Sequence, residues 1–108
     1  MTSPAAKTAQ LLAVLWERNL PIVEERLALL DTAVSTLLRT ATLDPQLQID
    51  AANVAHKLAG TLGMFGYPRG TDLARLMEEV LELQDPLSPV EAQQLQDWLI
   101  ELKTVLAK

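Results

Sequence analysis

The segment Asp44-Pro45-Gln46-Leu47-Gln48-Ile49-Asp50-Ala51-Ala52-Asn53-Val54-Ala55-His56-Lys57-Leu58-Ala59-Gly60-Thr61-Leu62-Gly63-Met64-Phe65-Gly66 reads as one helix over about 45–64. Asp44 stands at the capping position and Pro45 at the first helical position, where the missing proline N–H leaves no bond unmade. Gly66 supplies a terminator. At roughly 100° per residue, Ala51, Val54, Ala55, Leu58, Leu62 and Phe65 gather on one side, and His56 points almost directly away from them. A one-sided apolar helix must bury that side against other elements of the fold.

Outward from this segment the same punctuation recurs. Ser3-Pro4 and Ser88-Pro89 repeat the cap-proline pair, and Ser88 with Glu91 forms a capping box. Asn19 before Leu20-Pro21 marks a further start, and Thr71-Asp72, after the Gly66-Tyr67-Pro68-Arg69-Gly70 break, marks another. Apolar stripes support each: Leu11 and Leu15; Val23, Leu27, Leu30, Val34 and Leu37; Leu73, Met77 and Val80; Leu95, Trp98 or Leu99, Leu102, and Val105 or Leu106. The expectation is an all-α fold, an up-down-up-down antiparallel four-helix bundle with an additional N-terminal helix packed across it. At 108 residues, with no linker or repeat, residues 1–108 form a single domain.

Composition narrows the function. There is no cysteine, hence neither a disulfide framework nor a thiolate metal site, and the cytoplasm is the default location. The run Leu11–Trp16 is too short to span a membrane, and the N-terminus does not read as a secretion signal. A net charge of −5 with scattered Lys and Arg opposes both nucleic acid and an anionic membrane surface, which leaves a protein as the expected partner. No phosphate-cradling glycine loop, Ser/His/Asp set or His/Cys metal spacing occurs, so an independent enzyme is not expected. Glu78, Glu79, Glu82 and Asp85 alternate with an apolar stripe and read as a solvated face rather than a metal cluster. Trp16, Trp98 and Phe65 sit at core spacing.

His56 is the one histidine of the chain. A lone helical histidine is ordinarily a surface residue, but this one is followed on its own side by Gly60 and Gly63. Each glycine costs about 1 kcal/mol relative to alanine in an exposed helix interior. Both face away from the core, so their absent side chains clear an approach to the imidazole. Ala52 and Ala59 border that approach with small apolar groups, and Asn53 and Met64 complete the expected docking surface. Free imidazole has a pKa of about 6.5 and is substantially neutral and nucleophilic at neutral pH. Attack on an acyl phosphate would give a readily transferred phosphoramidate. No carboxylate lies within a turn of His56 along its face to hold Mg²⁺, so a partner must supply the metal. Lys57 is the candidate for steadying a phosphoryl group.

From His56 onward the sequence resembles the histidine phosphotransfer (HPt) family of bacterial two-component phosphorelays, whose phosphoacceptor histidine is followed by Leu at the second position and Gly at the fourth and tenth. Leu58, Gly60 and Gly66 stand there. The family's next helix carries apolar residues and a central acidic one, matched by Leu73, Ala74, Leu76 and Glu78. Leu15-Trp16-Glu17-Arg18, Glu25-Arg26-Leu27 and Phe65-Gly66-Tyr67 are similar to phosphotransfer domains of multidomain signalling proteins and chemotaxis kinases. Many members place Lys three residues after the histidine, where this chain has Ala59; Lys57 is the nearest substitute. The resemblance implies a phosphoryl carrier, phosphorylated at Nε2 of His56, that binds no cofactor itself and exchanges with receiver domains or a histidine kinase, the receiver holding Mg²⁺. A monomer is the default. The alternatives are a phosphorylation-independent adaptor on the same docking face and the dimerising part of a sensor kinase. The latter typically has an acidic residue after its histidine, where Lys57 stands here.

Overall fold

The computed structural model describes residues 4–107 as four helices: α1 Pro4–Thr40, α2 Pro45–Met64, α3 Pro68–Leu81 and α4 Pro89–Leu106, with no strand among the described residues. Each helix packs on its neighbour in chain order, and α4 closes the ring on α1. Side-chain links fix the antiparallel sense: Arg26 with Thr61 between α1 and α2, Gln48 with the Leu81 carbonyl between α2 and α3, Arg69 with Glu101 between α3 and α4. No helix among the described residues is long and apolar enough to cross a membrane.

The expected additional N-terminal helix is not separate. α1 runs unbroken through Pro21. Asn19 does not cap forward; its Nδ2 donates back to the Leu15 carbonyl at 2.8 Å. Pro21 leaves the Glu17 carbonyl without its helical donor, but residue 17 is exposed, where water can serve. The stripe Trp16, Leu20, Val23, Leu27, Leu30 keeps its three-four spacing across the proline, each residue buried or half-buried, and that continuous packed seam outweighs one lost bond. At 1.5 Å per residue α1 is about 55 Å long against about 30 Å for α2, and it sets the 57 Å long dimension of the molecule. Its first turns therefore project past the bundle. Leu11, expected in a core stripe, is 59% exposed there.

Of the other expected helix starts, Ser3 lies outside the described residues. α3 begins at Pro68, not at Thr71-Asp72, because Pro68 itself takes the first helical position and Gly70 enters the first turn. Asp44 precedes α2 as expected but its side chain makes no capping hydrogen bond. The capping box of α4 is formed in full, with Glu91 N–H donating to Ser88 Oγ at 3.1 Å and Ser88 N–H to Glu91 Oε1 at 2.8 Å.

The end of α2 fixes the next helix. Gly66 has φ +82°, its N–H donates to the Gly63 carbonyl and that of Tyr67 to the Leu62 carbonyl at 2.9 Å, the paired bonds of a left-handed helix stop. Trp16 of α1 packs on both aromatic residues of this turn, with ring centroids 5.3 Å from Phe65 and 5.0 Å from Tyr67. Buried Ala51, Ala52, Ala55 and Ala59 on α2 let α3 lie close, against Leu73, Ala74 and Met77.

Candidate functional site

The α2–α3 seam is pinned at both ends. Thr71 Oγ1 donates to the Ala59 carbonyl at 3.0 Å, and Gln48 Nε2 donates to the Leu81 carbonyl at 2.8 Å. Between these clamps the antiparallel register brings Glu78 of α3 opposite His56 of α2. Glu78 Oε2 lies 2.8 Å from His56 Nδ1, the histidine side chain 74% exposed and the glutamate 19%. A carboxylate accepts at Nδ1 only if that nitrogen carries the proton, so the pair selects the tautomer in which Nε2 keeps its lone pair. The ring is thus held at one nitrogen and open at the other.

Glu78 is the residue that reading the helix faces missed. Grouped with Glu79, Glu82 and Asp85 as solvated face, it is instead half-buried, while those three are exposed. The signal that could have found it was the central acidic position of the family's next helix, which Glu78 matched.

The two glycines behind the histidine differ. A Cβ at Gly60 would meet nothing within 4 Å, whereas one at Gly63 would stand 3.3 Å from Thr71 Oγ1. Gly63, expected to face away from the core, is exposed but has Thr71 of α3 close by; Gly60 is not explained by packing at all. Asn53, Gly60, Gly63 and Met64 are exposed along α2 with His56. Ala52 and Ala59, expected to border the docking surface, are only 7% and 5% exposed and belong to the packed core. Ile49, 54% exposed and one turn before Asn53, extends this face and was not anticipated. Lys57 is exposed. An open depression of about 290 Å³ beside the imidazole is lined by His56, Ala59, Gly60, Arg75, Glu78 and Glu79, so the cation in its wall is Arg75 and not Lys57. Among the described residues, no group of three or more His, Asp or Glu could hold a metal ion.

A four-helix bundle presenting a carboxylate-held histidine on one exposed helix face is the architecture of a phosphotransfer module. The family model for the Hpt domain matches residues 10–107. The chain belongs to the histidine phosphotransfer family, whose members are phosphoryl carriers rather than catalysts and interact with receiver and kinase domains. It is also similar to Protein RcaC of Microchaete diplosiphon, 39% identical over 92 residues that make up 82% of this chain and 14% of that protein. The chain thus spans about a seventh of the length of this relative. No solved structure matches the chain.

Proposed function

We propose that His56 is the phosphoacceptor of this Hpt domain and that Nε2 is the nitrogen that bonds phosphorus. The observation that carries this is the Glu78 contact at Nδ1 of an exposed imidazole, which in the neutral ring puts the lone pair on Nε2. In the forward step the Nε2 lone pair attacks the phosphorus of a receiver aspartyl phosphate. The N–P bond forms as the P–O bond breaks, and the aspartate carboxylate leaves with the bonding pair. The imidazole, still protonated at Nδ1, becomes cationic, and Glu78 balances that charge. Reversal returns the group to a receiver. The receiver's Mg²⁺ and donors supply stabilisation at the phosphoryl oxygens. Ile49, Asn53, Gly60, Gly63 and Met64 form the face on which the receiver sits, Gly60 leaving room for its backbone over the imidazole.

The test is incubation of the purified domain with phosphorylated receiver domains and Mg²⁺, followed by intact-mass and acid-lability analysis. Acid-labile, alkali-stable phosphate is expected on the wild type and none on His56→Gln, with the melting temperature nearly unchanged because the side chain is exposed. A folded wild type that no competent receiver labels would sink the carrier reading for this chain and leave the adaptor.

A further inference from the structure

A phosphoryl group on Nε2 carries about two negative charges and would stand beside a depression whose lining includes two carboxylates, Glu78 and Glu79. Glu78 is occupied by the imidazole; Glu79 is exposed and adds repulsion. The cation in the same wall is Arg75, one turn before them on α3. Ala59 and Gly60 line the same depression, and neither carries a side chain beyond Cβ that could fill the space between Arg75 and His56. Arg75 is exposed and unpartnered, unlike Arg26, held by Thr61, Arg69, held by Glu101, and Lys103, held by Asp31. Its planar guanidinium matches two phosphoryl oxygens at once.

We propose that Arg75, rather than Lys57, is the residue that holds the phosphoryl group while it rests on His56. This deepens the carrier reading and rests on it. In hydrolysis a water oxygen bonds the phosphorus as the N–P bond breaks, the imidazole leaving with the bonding pair and a water proton passing to solvent, through a loose transition state in which the phosphoryl oxygens shed charge. A guanidinium fixed on those oxygens stabilises the resting phosphohistidine more than that transition state, and so lengthens its life.

The experiment charges the domain from a phosphorylated receiver, removes the receiver, chelates Mg²⁺ with excess EDTA and follows decay of the phosphorylated mass. Arg75→Gln is expected to shorten the half-life about three- to fivefold, the scale of one exposed charge-assisted contact. Arg75→Lys should fall between it and the wild type, Lys57→Gln should match the wild type, and added salt should narrow the Arg75→Gln difference. Equal half-lives for Arg75→Gln and wild type, or shortening by Lys57→Gln alone, would overturn the assignment while leaving His56 as acceptor. Absence of phosphohistidine on the wild type itself would overturn the carrier reading, and this assignment with it. Circular dichroism of each variant confirms the bundle.

Discussion

At the scale of single residues, the site depends on a charge placed by tertiary structure. Glu78→Gln keeps the size and an acceptor oxygen but removes the charge that balances the imidazolium, and single-turnover transfer should slow about three- to tenfold, corresponding to about 1 kcal/mol. An unchanged rate would mean that Glu78 orients the ring without stabilising it electrostatically. The glycines give a second residue-scale contrast. Gly60→Ala meets open space and should raise stability by about 0.5–1 kcal/mol in chemical denaturation. Gly63→Ala should give no such gain, because its methyl would press on Thr71 Oγ1, which is itself tied to the Ala59 carbonyl. His56, its outward direction and the open space at Gly60 were legible in the sequence, since they depend only on helical angle. Glu78, the packing at Gly63 and the position of Arg75 were not, because each is set by the register between two helices.

At the scale of elements, α1 ends in a strained turn. Ala41 has φ +61°, in the left-handed region that a side chain disfavours, while Thr40 Oγ1 donates to the Thr36 carbonyl at 2.8 Å. Ala41→Gly should therefore stabilise the bundle by about 0.5–1 kcal/mol, read as a rise in denaturation midpoint without a change in slope. Legibility at this scale follows the prolines. Pro45 and Pro89 each follow a residue outside a helix, and both starts were readable. Pro21 follows Leu20, whose neighbours already form an unbroken stripe; there the stripe, not the proline, was the decisive signal. Pro68 was passed over for Thr71 because two flanking glycines suggested a longer loop, whereas Gly70 lies inside α3, where a Cβ would come within 3.0 Å of Leu62.

At the scale of the whole molecule, the ring of helices is tied on its surface by ion pairs between distant parts of the chain, Arg69 with Glu101 and Lys103 with Asp31. Arg69 donates to both carboxylate oxygens of Glu101 and holds that carboxyl below the usual carboxylate range. A depressed carboxyl contributes stability above its unfolded pKa and loses it as pH falls through the folded one. The melting temperature of wild type should thus modestly exceed that of Glu101→Gln near neutral pH, and the gap should close in acid below the ordinary carboxylate range. Added salt should also narrow it, since both partners are exposed. The pinned seam between α2 and α3 has a consequence for transplantation. A peptide or foreign helix bearing residues 45–66 would carry the histidine and its glycines, yet lack the counter-ion, the tautomer lock and the opposing arginine. Grafting the signature alone should yield an inert imidazole, and the smallest portable unit is the α2–α3 hairpin with whatever keeps its two helices in register.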